Sequence, residues 1–201
     1  MVDEARRLER AFYAQSTVDV AQTLLGCVLV TAKSGDETRG RIVETEAYLG
    51  PDDPASHAAT RRTGGTTAMW GAPGIAYVYR SYGIHVMFNV VCEQEGVPGA
   101  VLIRALEPVG GLNLMRDRRG GVPDPVLCAG PGRLCAAMGI TLDDHGHDLI
   151  ASTTIWIEQG AGIGLVLASG RIGISQGTEA PWRFFAGGSR YVSAHRRGSP
   201  V

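Results

Sequence analysis

Glycine sets the rhythm of this chain. Of its 201 residues 28 are Gly, many in short clusters, and clustered glycines favour tight turns. The apolar runs between them are brief and rich in Val, Ile, Tyr and Phe, which is strand composition. A hydrophobic share of 44% over this length is enough for one substantial core. The predicted class is α+β, one domain over residues 1–201, with 1–10 and 194–201 expected to fray.

Residues 5–14 have helical composition. Ser16 is placed to cap a second helix with the stripe Val18, Ala21, Leu24 and Leu25, and Gly26 stops it. Residues 27–31 read as a strand, and a turn over 33–38 leads into the next, from Gly40 to Gly50. Strand side chains alternate between faces. Glu44, Glu46 and Tyr48 therefore share one face, and Val43, Thr45, Ala47 and Leu49 the other. Side-by-side carboxylates repel. A carboxylate crowded in this way is harder to ionise, which suits proton transfer. An edge strand showing acids to water would carry the same pattern.

The connection after Gly50 is irregular to Thr67, and long irregular loops in compact domains are usually functional or disordered. It holds His57, which reaches the acidic face if the loop folds back. Residues 75–79 alternate, with Tyr77 and Tyr79 on one face. Arg80, Ser81, Tyr82 and Gly83 form a hairpin tip, and 84–91 returns as a strand containing Asn89. An aromatic at a protruding turn either packs on a neighbour or acts as a wedge, as in proteins that unstack duplex from the minor groove. Residues 101–108 are a further strand. Its Arg104, set among Val, Leu and Ile, seeks a buried carboxylate or a ligand, and the Gly40–Gly50 strand offers two carboxylates.

Short helices are expected over 110–119 and 133–139. The glycine-rich entry to the second could hold a phosphate but lacks the Gly-Lys-Ser/Thr of a Walker loop. Residues 143–148 contain metal-ligand residue types without a second ligand pair at recognisable spacing. Short strands are expected at 154–158, 163–168 and 171–174, and residues 182–185 and 190–193 close the domain.

A formal net charge of −1 argues by itself against nucleic acid. The distribution is less even: Arg171, Arg183, Arg190, Arg196 and Arg197 face only Glu179 in the last part of the chain. Lys33 is the single lysine, so Schiff-base chemistry has one candidate, and it lies in a turn. The four cysteines form no Cys-x-x-Cys pair. With a charged start and no apolar leader or membrane-length run, a reducing intracellular compartment is expected.

Several stretches together resemble a known family, the alkyladenine (3-methyladenine) DNA glycosylases, which remove damaged purines from DNA. The resemblance rests on residues 42–51, 55–57, 76–79 with Tyr82 and Gly83, 89–91, 101–108, 130–135 and 181–184, in order along the chain. It implies a curved, mostly antiparallel, open-barrel-like sheet with packed helices and a protruding hairpin. It further implies that Glu46 is the general base that activates water and that Arg104 helps hold that water. Tyr48, His57 and Tyr79 would bind the flipped base. Asn89 would disfavour the exocyclic amine of guanine, and Tyr82 would intercalate in the gap left in the duplex. In this sequence Gly64-Gly65-Thr66-Thr67 follows Arg62-Thr63, where the family usually carries Pro-Arg-Asn, so an arginine and an asparagine near the DNA are absent.

The resemblance thus implies a monofunctional hydrolase without a lyase step. It would need no cofactor and no metal, and would act as a monomer on double-stranded DNA containing damaged purines. It would work away from membranes, in the cytoplasm and nucleoid if bacterial. Two other readings stay open. A non-catalytic nucleic-acid-binding module would explain the basic end and Tyr82. A hydrolase of free nucleosides would need no wedge.

Overall fold

The computed structural model describes residues 6–60, 64–193 and 197–201. The readings that fall on the first five residues, on Arg62 and Thr63 and on Arg196 lie outside them. Among the described residues, nine strands form one sheet in which every pairing is antiparallel. In chain order they are β1 (Val28–Lys33), β2 (Asp36–Tyr48), β3 (Ala76–Ser81), β4 (His85–Val91), β5 (Ala100–Gly110), β6 (Ile155–Glu158), β7 (Val166–Ser169), β8 (Arg183–Ala186) and β9 (Ser199–Pro200). The main path runs β3-β4-β5-β2-β8-β7-β9 and does not close into a barrel; β1 and β6 branch from β2. Six short helices accompany the sheet: α1 (Arg10–Tyr13), α2 (Thr17–Thr23), α3 (His57–Thr60), α4 (Leu112–Arg118), α5 (Asp124–Leu127) and α6 (Pro131–Met138). This is the α+β domain that the glycine spacing predicted.

Strand β2 is longer than its sequence suggested because the turn before it is tight, with Ser34 and Gly35 both at positive φ. Its early residues pair with β1 on one side, its late residues with β8 on that same side, and β5 covers the other. Helix α2 packs across it. Ser16 caps that helix by accepting from the Asp19 N–H, as expected. Val20, Ala21 and Leu24 are fully buried in one cluster with Ile42, Ala47, Ile103 and Leu106. Truncating such a leucine to Ala costs about 2–5 kcal/mol. On the same core, α6 contributes Leu134, Cys135, Ala137 and Met138. All four cysteines are free and buried.

Two irregularities position the site. Ile42 pairs with Leu106 and Glu44 with Ala105, so Val43 is an extra residue on β2; Thr45 then pairs with Ile103, so Arg104 is an extra residue on β5. An extra residue shifts the alternation by one and re-aims side chains. Ile42 and Ala47 therefore face the same core despite their different parity, and Thr45 donates its hydroxyl to the Ala21 carbonyl at 2.7 Å. The uniform alternation read from the sequence fails at Val43. That residue lies on the Glu44 side, in a second cluster with Ala105, Phe185, Ala186 and Val192.

Other boundaries differ in detail. The first helix is the short α1, and residues 171–174 are a loop rather than a strand, because their groups are engaged with the site and not with a neighbouring ladder. The long connection after Gly50 contains α3 and a 3₁₀ turn over Thr67–Trp70. In the tail expected to fray, Ser199 and Pro200 pair with Ala168 and Leu167.

Candidate active site

The sheet register lines up one row of residues across five strands. Tyr77 pairs with Asn89, Asn89 with Leu102, Leu102 with Glu46, and Glu46 with Arg183. Directly paired residues share a face, so this row runs from the hairpin to the centre of the sheet. Tyr48 and Tyr79 lie two residues along from Glu46 and Tyr77 on that face.

Glu46 is completely buried. Its Oε2 accepts from the Tyr48 hydroxyl at 2.8 Å and from Arg104 Nη1 at 3.2 Å, and its Oε1 accepts from the Ile172 N–H at 2.7 Å. Burial pushes its carboxyl above the ordinary range. Arg104, the Ile172 N–H and Tyr48 oppose that rise without cancelling it, and Glu44 adds to it. The result is a carboxylate with raised basicity next to a fixed cation.

Glu44 has a different environment. It accepts from Arg104 Nε at 3.2 Å, from Arg183 Nε at 2.6 Å, and from both the N–H and the hydroxyl of Ser193 at 2.8 Å. Arg183 is itself fully buried, lies over the Phe185 ring and donates to the Ser169 hydroxyl. The expectation that Arg104 seeks buried carboxylates is met twice over.

Beside this cluster lies a small pocket lined by Tyr48, Ala55, His57, Met69, Tyr77, Tyr79, Asn89 and Ala100. Tyr77 and Tyr79 lie 5.3 Å apart between centroids, and His57 meets Tyr79 edge-on at 4.6 Å. His57 Nδ1 and the Tyr77 hydroxyl are 2.7 Å apart, and the Asn89 Nδ2 donates to the Tyr77 carbonyl at 3.0 Å. Burial lowers the His57 pKa and raises that of Tyr79 to about 12, so both walls are neutral at pH 7. His57 opens helix α3 rather than sitting in open loop, and the preceding turn is pinned by Asp53, which accepts from Leu49 N–H and Ala55 N–H.

Behind Tyr48 stands Arg171, whose guanidinium carbon is 4.7 Å from the Tyr48 ring centroid and 5.0 Å from that of Trp182. It grips Asp53 through two nitrogens, at 2.6 and 2.8 Å, and donates to the Ala47 carbonyl. Tyr82 stands at the opposite extreme, 86% exposed at the tip of the β3–β4 hairpin, with Ile84 at 76% beside it. Between hairpin and cluster runs an open groove whose walls include His85, Met87, Arg104, Gly132, Ile172 and Ser193.

Glu46, Arg104, Tyr48, His57, Tyr79 and Asn89 are thus brought to one place, and Tyr82 stands apart on the surface. Sequence reasoning passed over Tyr77, although its alternation with Tyr79 was visible. It also passed over Asp53, Arg171, Arg183 and Ser193, which reach the site by long-range pairing that no local pattern announces. Lys33 is held by Asp144 at 2.6 Å and by the Gly139 carbonyl. The acidic, histidine-bearing run is structural: Asp144 closes a capping box with Thr141, and His145 accepts from the Val78 N–H. Among the described residues no group of His, Cys, Asp and Glu is arranged to hold a metal.

The family model described as methylpurine-DNA glycosylase matches residues 11–190. The chain belongs to the methylpurine-DNA glycosylase family. A protein of Chlorobaculum parvum named "Putative 3-methyladenine DNA glycosylase" is 44% identical over 97% of this chain and 94% of its own length. One of Rhodopseudomonas palustris strain BisB18 with the same name is 47% identical over 93% of this chain and 90% of its own. The matched span of the methylpurine-DNA glycosylase model contains every side chain of the buried cluster except Ser193. No helix among the described residues is long and apolar enough to cross a membrane.

Proposed function

We propose that this chain is a monofunctional DNA-3-methyladenine glycosylase that extrudes an alkylated or deaminated purine from duplex DNA and hydrolyses its bond to the sugar. The observation that carries this reading is the Glu46–Arg104 pair buried beside a pocket walled by Tyr48, His57, Tyr77 and Tyr79. The target bond is out of reach inside a stacked helix, so the nucleotide must leave the stack. Tyr82 enters from the minor groove and fills the vacated space. The purine rests among Tyr48, His57 and Tyr79, whose aromatic faces favour an electron-poor or cationic base. Asn89, tethered to the Tyr77 carbonyl, occupies space that the exocyclic amine of guanine would need.

The carboxylate of Glu46 takes one proton from water as the oxygen bonds to the sugar carbon. The carbon–nitrogen bond breaks, and its electron pair leaves with the base, which a positive charge on an alkylated purine makes easier. Arg104 orients the water. A raised Glu46 pKa brings the base closer to working pH, at the cost of an acid limb above the normal carboxylate range. A lyase step would require an amine, and Lys33 is committed to Asp144.

Base release from hypoxanthine or 3-methyladenine duplex, measured beside the free nucleosides, tests this. Release from duplex alone, with an intact abasic strand, is expected. Glu46→Gln should lower the single-turnover rate by about 10²–10⁴-fold while damaged-duplex affinity holds. Cleavage through a trapped imine, or turnover of nucleosides only, would refute the assignment.

A further inference from the structure

Among the described residues Glu44 accepts four hydrogen bonds, one more than Glu46, yet it is not part of the base-pocket lining. Its placement follows from the paired irregularities of β2 and β5. Without the extra residues Val43 and Arg104, Glu44 and Arg104 would not lie across from each other in this way. Arg104 is consequently shared. Its Nε goes to Glu44 and its Nη1 to Glu46, each at 3.2 Å. Among the described residues its Nη2 makes no hydrogen bond, and the side chain forms part of the groove wall. A guanidinium prefers a two-nitrogen grip on a single carboxylate, as Arg171 takes on Asp53. Arg104 is denied that arrangement because Glu44 holds one end of it.

We infer that Glu44, anchored by Arg183 and Ser193, is a positioning residue. It keeps Arg104 from closing a two-nitrogen pair on Glu46 and so leaves Arg104 facing the groove. The inference rests on the glycosylase reading for its consequence in catalysis, but its geometry does not. Glu46 is faced by Glu44 and Tyr48 from β2, Tyr79 from β3, Arg104 from β5 and the Ile172 N–H from the 171–174 loop; Arg183 from β8 faces Glu44. Loss of the Glu44 charge removes a repulsion on Glu46 and frees Arg104 to engage it fully. Both changes favour the ionised form of Glu46 and weaken it as a base.

The test is a titration of protein labelled with ¹³C at the glutamate carboxyls, with Glu46 identified by the signal lost in Glu46→Gln. In Glu44→Gln the Glu46 midpoint should fall to lower pH, by roughly one unit. Because Glu44→Gln alone leaves Arg183 buried without its carboxylate, Glu44→Gln/Arg183→Gln is measured in parallel and should shift the same way. An unmoved or raised midpoint in a folded variant overturns the inference. Single-turnover base release should fall about 10–100-fold in the same variants, with its acid limb moved down in pH. A midpoint that falls in a protein with no base release on any duplex would support the Glu44 role and sink only the proposed reaction.

Discussion

Tyr82 adopts φ +50° and the following Gly83 φ +69°, and Ile84 N–H closes the turn onto the Ser81 carbonyl. Positive φ at both central positions is the signature of a type I′ hairpin turn, where Asn-Gly is the favoured pair. A tyrosine there carries about 1–3 kcal/mol of backbone strain, and its ring gains nothing by burial. On the proposed reading its role lies outside the fold, in the duplex. Tyr82→Asn should therefore raise the melting temperature by a few degrees, since ~1 kcal/mol is worth roughly 2–4 °C in a domain of this size. The same variant should release base more slowly from paired duplex. Calorimetry with single-turnover kinetics checks both halves, and a destabilised or fully active variant would speak against the wedge. At this scale the sequence was informative wherever one side chain broke the local pattern: a ring on a turn, an arginine in an apolar strand, two acids on one face. It was silent on Arg183 and Arg171, because the carboxylate that each grips is more than a hundred residues away.

At the scale of elements, one buried pair joins the loop after β2 to the loop before β8. Asp53 and Arg171 are both buried. Burial by itself would raise the Asp53 pKa, but the hydrogen bonds from Arg171 and the Leu49 and Ala55 N–H groups outweigh it and hold the pKa below its usual value. A carboxyl with a depressed folded-state pKa contributes stability that is fully present above the unfolded value, ~3.9. That contribution is lost as pH falls through the folded value. Asp53→Asn should cost about 3–5 kcal/mol near neutrality, as for other broken buried pairs. The gap in melting temperature between it and the natural protein should narrow below pH ~4; a gap constant with pH would show that the pair is not its source. Elements themselves were readable from the sequence because glycine clusters and alternation mark strand ends. The two irregularities were not, because an extra residue on one strand is defined only by its partner. That is why Val43 lies on the Glu44 face, against the alternation read from the sequence.

At the scale of the whole molecule, the charge distribution is plainer than the composition suggested. Two of the five arginines in the last part of the chain, Arg171 and Arg183, are buried in ion pairs and unavailable to phosphate. With a net charge of −1, binding to duplex should weaken with salt by about 0.9 log units per log unit of salt for each phosphate contacted. The total should be a shallow slope, well short of the roughly 10³–10⁵-fold loss between 50 and 200 mM salt that 6–10 contacts produce. Fluorescence anisotropy across that range checks it, and a steep slope would mean a wider basic surface than the paired arginines leave. The fold class was legible from spacing and the likeness to glycosylases from scattered short stretches. Neither could state which cations are free, since that depends on which side chains fold inward.

Glu46 and Arg104 stand on two directly paired central strands, whereas Ala55 and His57 hang from the connection that follows β2. On the proposed reading, water would be held at one fixed place, and the damaged nucleotide would have to come to it. The loop-borne part of the pocket wall could then be redrawn without touching the strands that hold Glu46 and Arg104.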